Sequence, residues 1–89
     1  MQYIYSKHIL IRMNERKILE NEIEALINNE VDILIIPSKK DEKVIAILGF
    51  VNKKGLVIFV NKTTSVLITV RNMRKNEKIL FKEKSNEKK

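Results

Sequence analysis

Two stretches of helical periodicity open the chain. The apolar positions of the first are Ile9, Leu10 and Met13, and those of the second are Leu19, Ile23, Leu26 and Ile27. This three- and four-residue spacing places side chains on one face of a helix. Ser6 precedes the first stretch with a hydroxyl suited to capping the first turn. The pattern predicts two helices within residues 6–29, separated by a break near Lys17 and ended by Asn28 and Asn29.

Short β-branched runs replace this pattern from residue 31 onward. They cover residues 31–36, 44–51, 56–60 and 66–70, and short polar turns separate them. Connections of this length join antiparallel neighbours, because a parallel crossover needs about a dozen residues or more. The order of elements predicts one α+β domain over residues 1–82. In it, two N-terminal helices pack on one face of a twisted four-stranded antiparallel sheet.

Two features at the margins of this sheet are less regular. Residues 77–82 contain a short apolar run and are a candidate for a short fifth strand at the edge of the sheet. Residues 83–89 are charged, have no apolar side chain to bury, and are expected to form a mobile tail.

The two central runs, 44–51 and 56–60, are apolar at nearly every position. We therefore expect them to be covered on both faces or to border a groove.

The composition narrows the possible chemistry. The chain has no Cys, which excludes disulfides, thiol nucleophiles and zinc–thiolate sites, and its acidic residues show no metal-ligand spacing around the single His. The longest apolar run is far shorter than the roughly 18 residues that cross a bilayer. The first eight residues lack the pattern of a signal peptide. The expectation is a cytoplasmic protein without a metal, a cofactor or a membrane partner.

The net charge of +7 is concentrated in the region of the strands. Residues 43–81 carry +7, whereas residues 1–42 carry −2 and residues 82–89 carry +2. A basic sheet surface suits a polyanion, since neutralised phosphates release counterions. The alternative is that the lysines are simply solvated, because the abundance of Lys, Ile and Asn indicates the codon bias of an AT-rich genome. The few aromatic residues are expected in the core, which argues against a stacking platform for single strands.

His8, Arg12 and Arg16 recur every four residues along one polar stripe of the first predicted helix. Cleavage of RNA without a metal needs a proton shuttle, for which His is suited, and cations for the charge that develops on phosphorus, for which Arg is suited. The alternative is structural. His8 would then cap or pack the helix start, and the two arginines would pair with acids such as Glu15 or Glu20.

Thr69 and Arg71 are predicted to share one face of the fourth strand with Leu67, opposite Val66, Ile68 and Val70. Such a polar pair beside apolar strands could line a groove for phosphate. It fits equally well the solvent face of an edge strand, and the sequence leaves both interpretations open.

The stretch S-K-H-I-L-I-R-M-N-E-R-K-I, residues 6–18, resembles the opening signature of the bacterial domain of unknown function 4258 family, roughly S-K-H-A-x-x-R-M-x-E-R-G-I. The similarity covers about residues 5–72. These domains are similar to RelE-like toxins and to barnase-like ribonucleases, which pair two helices with a four-stranded antiparallel sheet. Three departures stand out. Lys17 replaces a Gly, Leu19 replaces a Ser or Thr cap, and Arg71 replaces a Tyr-like residue.

The resemblance implies a metal-independent ribonuclease toxin with a cognate antitoxin, acidic or of the helix-turn-helix type. His8 would act as general acid or base, Arg12 and Arg71 would bind the scissile phosphate, and Thr69 would orient it. Arg16, Lys53, Lys54 and Arg74 would hold flanking phosphates. The alternative function is a non-catalytic module that keeps the toxin-like fold and binds nucleic acid or protein. A third possibility is a protein that binds an acidic host partner through the basic sheet.

Overall fold

A computed structural model describes the backbone of residues 3–87 and the side chains of residues 3–84. The elements in chain order are β1 (Ile4–Tyr5), α1 (Lys7–Arg16), α2 (Glu20–Ile27), β2 (Ile33–Pro37), β3 (Val44–Val51), β4 (Lys54–Asn61), β5 (Val66–Asn72) and α3 (Lys75–Glu87). None of these helices is long and apolar enough to cross a membrane.

The four predicted strands form an antiparallel meander, as the short turns between them required. The sheet nevertheless has five strands, in the order β1-β5-β4-β3-β2. The additional strand is β1, which pairs in parallel with the start of β5 through Ile4 with Val66 and Tyr5 with Leu67. The sheet is therefore mixed. Two residues are too few to show a strand pattern, which is why the sequence did not indicate β1.

One face of the sheet is covered by α1 and α2, as predicted. Helix α1 contacts β5, and α2 contacts β3. The buried side chains between them include Ile9 and Leu26 from the helices and Ile58 and Leu67 from the strands, all without exposed surface. Ser6 caps α1 as expected, because its Oγ accepts a hydrogen bond from the Ile9 N–H at 3.1 Å.

The opposite face is covered in part by α3, and here the prediction of a fifth edge strand at residues 77–82 was wrong. These residues lie within α3. Phe81 is buried against Leu48, Val57 and Met73, and it meets Phe50 edge to face at 5.3 Å. Ile79, two residues earlier, is half exposed, so the run is not buried as a strand would be. Central strands β3 and β4 are thus apolar throughout because helices pack on both faces.

Helix α3 also includes residues 83–87 of the expected tail. Residues 88 and 89 lie outside the described residues, as do the side chains of residues 85–87. The mobility of this segment therefore stays a prediction.

A β-bulge changes the faces predicted for β5. Phe59 pairs with Thr69, but the next residue, Val60, pairs with Leu67, so Ile68 is an extra residue on β5. An extra residue shifts the alternation of side chains by one position. Leu67 therefore lies with Val70 in the core under α1 and α2, not with Thr69 and Arg71 as predicted. Thr69 and Arg71 remain together on the α3 side.

The start of α2 lacks one half of a capping arrangement. Glu22 Oε1 accepts from the Leu19 N–H at 2.9 Å, the bond that the third helical residue makes in a capping box. Leu19 returns no side-chain bond and is 57% exposed. We expect Leu19→Ser to complete the box and raise the free energy of unfolding by about 1 kcal/mol. Urea denaturation would measure this gain. Leu19→Ala is the control, and an equal gain in both variants would contradict the capping argument.

Candidate nucleic-acid interface

Three basic segments meet at one end of the sheet: the end of α1 with Lys17, the turn between β3 and β4, and the junction of β5 with α3. Lys54 Nζ donates to the carbonyl oxygen of Lys17 at 3.3 Å. The N–H of Met73 donates to the carbonyl oxygen of Gly55 at 2.8 Å. The segments carry six exposed cationic residues, called the basic rim below: Arg16, Lys17, Lys53, Lys54, Arg74 and Lys75.

Tight turns give the basic rim its shape. Lys17 follows α1 with φ 55° and ψ 42°, the left-handed conformation that glycine adopts most easily. Its N–H and that of Ile18 both donate to the Met13 carbonyl oxygen. Lys17 thus occupies a position that favours glycine and adds a cation there. Lys53 lies in the turn between β3 and β4 and also has a positive φ, 70°.

Arg16 also has a structural task. Its Nη1 donates to the Val70 carbonyl oxygen of β5 at 2.7 Å. Two residues away on the same strand, Ser6 Oγ donates to the Ile68 carbonyl oxygen at 2.9 Å. Because β1 pairs only with the first residues of β5, these side chains satisfy carbonyl groups that the short strand leaves open. The remaining donors of the Arg16 guanidinium stay available, since a guanidinium has five.

Lys54 is fixed by a buried acid. Glu22 is 2% exposed and accepts from Lys54 Nζ at 3.3 Å, in addition to its bond with the Leu19 N–H. Within the described side chains, the other four members of the rim besides Arg16 and Lys54 make no hydrogen bond or ion pair through their charged groups. Most of the rim charge is thus free to meet an external anion.

His8 and Arg12 do come together on α1. Arg12 Nε donates to His8 Nε2 at 3.4 Å, which makes Nε2 an acceptor. Arg12 also pairs with Glu15, with Nη1 and Oε1 2.7 Å apart. This ion pair lies near the surface and follows the structural alternative weighed for the stripe. It partly neutralises the cation next to His8.

Thr69 and Arg71 lie on the other face of the sheet. Arg71 forms a bidentate ion pair with Glu77 of α3, with Nη1–Oε1 and Nη2–Oε2 distances of 2.6 and 2.7 Å. Its guanidinium lies 5.5 Å from the centre of the Phe59 ring. The hydrogen bonds that Arg71 donates to Glu77 raise the pKa of Arg71 and lower the pKa of Glu77. Phe59, Arg71 and Glu77 line an open groove of about 230 Å³ whose floor includes Ala46 and Leu48.

The Glu77 carboxylate predicts a pH dependence of stability. Its pKa lies below the ordinary 4.5 mainly because Arg71 donates to it, and the Arg74 N–H adds a further bond at 2.8 Å. A group with a depressed folded pKa stabilises the fold above its unfolded pKa and loses this contribution as pH falls through the folded value. We expect Glu77→Gln to be less stable than wild type at pH 7, with the difference shrinking below about pH 4.5. Urea titrations from pH 7 to about 3 would measure it. A difference that stays constant with pH would contradict the assignment.

The structure does not gather the predicted catalytic residues into one site. His8 and Arg12 lie on α1, on one side of the sheet, whereas Thr69 and Arg71 face the α3 side, and Glu77 occupies the guanidinium of Arg71. The predicted flanking residues Arg16, Lys53, Lys54 and Arg74 do meet at one rim. The sequence reasoning missed Lys17 and Lys75 as members of that rim. It also missed Glu22 and Glu77. The spacing of a capping box did not reveal them, because Leu19 and Arg74, which stand three residues before these acids, have no side-chain hydroxyl for the other half of the box.

Within the described residues, no group of three or more His, Asp or Glu side chains is arranged to hold a metal ion. Comparisons with family models, curated proteins and solved structures return no match to the chain. The resemblance to the domain of unknown function 4258 family therefore stays a prediction.

Proposed function

We propose that the protein is a non-catalytic module that binds single-stranded RNA through the phosphate backbone along its basic rim. The observation that carries the proposal is the convergence of three separate chain segments, each with two cations, at one end of the sheet. Folding brings these charges together against their mutual repulsion. Such an arrangement is costly for stability and is favourable when a polyanion supplies the counter-charge.

The chemistry of the rim favours phosphate over base recognition. Four of its six charged groups make no hydrogen bond or ion pair with the described side chains, and Lys17 and Lys53 lie in tight turns with positive φ. The aromatic side chains are elsewhere. Phe50, Phe59 and Phe81 pack on the α3 side, and Tyr3 and Tyr5 pack against the core under α1 and α2. Binding without stacking aromatics is expected to be similar for uridine-rich and adenosine-rich strands.

The test is fluorescence anisotropy with labelled 20-nucleotide RNAs. If the rim contacts about four phosphates, the affinity should fall roughly 50-fold between 50 and 200 mM salt, since each contact contributes a slope of about 0.7 on single strands. Oligo(U) and oligo(A) should bind with comparable affinity, and the RNA should remain intact. No binding at about 50 mM salt with protein at about 100 µM would overturn the proposal.

A metal-independent ribonuclease toxin is the second candidate, and the observation that favours it is the His8–Arg12 pair. A histidine with an acceptor nitrogen beside a guanidinium supplies a proton shuttle and a phosphate-binding cation on one helix. Its test is the integrity of bulk RNA and translating mRNA incubated with purified protein in EDTA. It also includes growth of bacteria expressing wild type or His8→Ala. Cleavage and growth arrest by wild type alone would favour this candidate, and capture of a cognate antitoxin, acidic or of the helix-turn-helix type, would extend it.

A further inference from the structure

The two edges of the sheet differ in whether their outward backbone groups are covered. At one edge, β1, Ser6 and Arg16 cover the open side of β5. At the other edge lies β2, which among the described residues pairs only with β3. The Ser38 N–H donates to the Val44 carbonyl oxygen at 3.0 Å, so Ser38 is one of the residues whose backbone groups bond to β3. Alternate residues of an antiparallel strand bond to opposite sides, so the backbone groups of Ile33, Ile35 and Pro37 point outward.

The outward backbone N–H groups of β2 have no hydrogen-bond partner among the described residues, and they lie beside exposed apolar side chains. Among the described residues, no hydrogen bond reaches the outward N–H of Ile33 or Ile35. Ile35 is 52% exposed on the α2 side of the sheet. Ile79 is 51% exposed on α3, the helix that contacts β2. An exposed apolar edge strand with free backbone groups is a template for pairing with another strand, and proteins usually block it.

The charges that flank β2 indicate what pairs with it. Glu30 and Asp32 precede the strand, and Lys39 and Lys40 follow it, while the acids Asp41 and Glu42 lie farther along the loop. The strand is thus negative at its start and positive at its end. An antiparallel copy of the same strand is complementary at both ends. A peptide of uniform charge would meet a like charge at one end or the other, which disfavours it.

We propose that β2 pairs antiparallel with β2 of a second copy of this chain, around a two-fold axis at Ile35. In this register Ile35 lies opposite Ile35 of the second copy, and the two half-exposed side chains cover each other. The Ile33 N–H donates to the carbonyl oxygen of Pro37 of the second copy. Glu30 aligns with Lys40 of that copy. The two five-stranded sheets then form one continuous sheet, and Pro37, which has no N–H to lose, ends the pairing at each side.

The inference does not depend on RNA binding, because the basic rim residues lie outside β2. Its first test is mass by light scattering and sedimentation at protein concentrations from about 1 to 500 µM. Wild type should reach twice the mass of one chain, and Ile35→Lys should remain a monomer with an unchanged circular dichroism spectrum. Amide exchange should show the Ile33 and Ile35 N–H groups protected in wild type and unprotected in Ile35→Lys. A wild type that is monomeric at about 500 µM overturns the proposal.

A charge exchange tests the register and does not depend on the fold of any one variant. The first variant carries Glu30→Lys and Asp32→Lys, and the second carries Lys39→Glu and Lys40→Glu. Each alone places like charges together at both ends and should weaken dimerisation at least tenfold. Mixed in equal amounts, they are complementary at both ends and should form a heterodimer of near wild-type affinity. Failure of the mixture to associate while wild type dimerises would overturn the antiparallel β2 pairing.

Discussion

Removal of three cations from the basic rim is expected to lower the affinity for single-stranded RNA about 100-fold at 0.1 M salt. The variant combines Lys53→Asn, Arg74→Gln and Lys75→Gln. Each lost phosphate contact removes about 0.7 from the salt slope and a corresponding 0.7 decade of affinity at this salt concentration. The slope should therefore fall by about 2. Anisotropy titrations between about 50 and 300 mM salt would measure both quantities.

The substitutions are chosen to spare the fold. The three charged groups are exposed and make no hydrogen bond or ion pair among the described side chains, and Asn tolerates the left-handed conformation of Lys53 better than most residues. Unfolding in urea should be nearly unchanged.

A matched variant separates local charge from net charge. Lys7→Gln, Lys43→Gln and Lys62→Gln remove the same three charges from exposed positions at the opposite end of the sheet. The Lys62 N–H donates to the Lys43 carbonyl oxygen, which places these two together there through backbone groups that the substitutions keep. If RNA binding depended only on long-range attraction to the net charge, both variants would lose the same affinity. An equal loss in the two variants would contradict a localised interface and would favour general electrostatic attraction.

The sequence indicated the fold where its signals were local. Ser6 as a cap and the four β-branched runs with polar turns were confirmed, because each depends on a few neighbouring residues. Strand β1 was missed because its pairing with β5 joins Ile4 and Val66, which are far apart in sequence. Residues 79–81 were read as a strand because three consecutive apolar residues fit either element. The segment forms a helix, in which Phe81 is buried against the second face of the sheet.

The candidate site shows a similar division. Spacing on α1 correctly placed His8 next to Arg12, since residues four apart are neighbours on a helix. It could not show that Arg16 bonds to the Val70 carbonyl oxygen, because this depends on how α1 lies on β5. Strand alternation predicted Thr69 and Arg71 on one face, and the bulge at Ile68 then separated them from Leu67. Which face of the sheet receives α1 is a tertiary choice that the alternation does not encode.

The largest loss of stability from a single added methyl group is expected at Gly49. This residue lies buried in β3, paired with Ile33 and Leu56, where α2 crosses the sheet. A Cβ atom at this position would clash with a terminal methyl of Leu26 and would lie 3.0 Å from the Asp32 carbonyl oxygen. Leu26 has no exposed surface, and the carbonyl belongs to the backbone, so neither neighbour moves freely.

Gly49→Ala is therefore expected to lower the free energy of unfolding by about 2–3 kcal/mol. For a domain of this size each kcal/mol corresponds to about 4–8 °C in Tm. Gly55→Ala is the matched control, because the atoms nearest to its added methyl are side-chain atoms of Met73 and Phe50 at 3.1–3.2 Å and none belongs to the backbone, so it should cost less than Gly49→Ala. Equal costs at the two glycines in urea unfolding would contradict the steric argument.

A double mutant identifies the clash itself. Leu26→Ala alone should cost about 2–5 kcal/mol, because it leaves a cavity between α2 and β3. In the Gly49→Ala background the same change also relieves the contact with the added methyl, so its cost should be smaller by about 1 kcal/mol or more. The size of this coupling reports how closely α2 must approach β3. Strict additivity would assign the loss at Gly49 to the Asp32 carbonyl and the backbone that leads into β2, and not to the packing of α2.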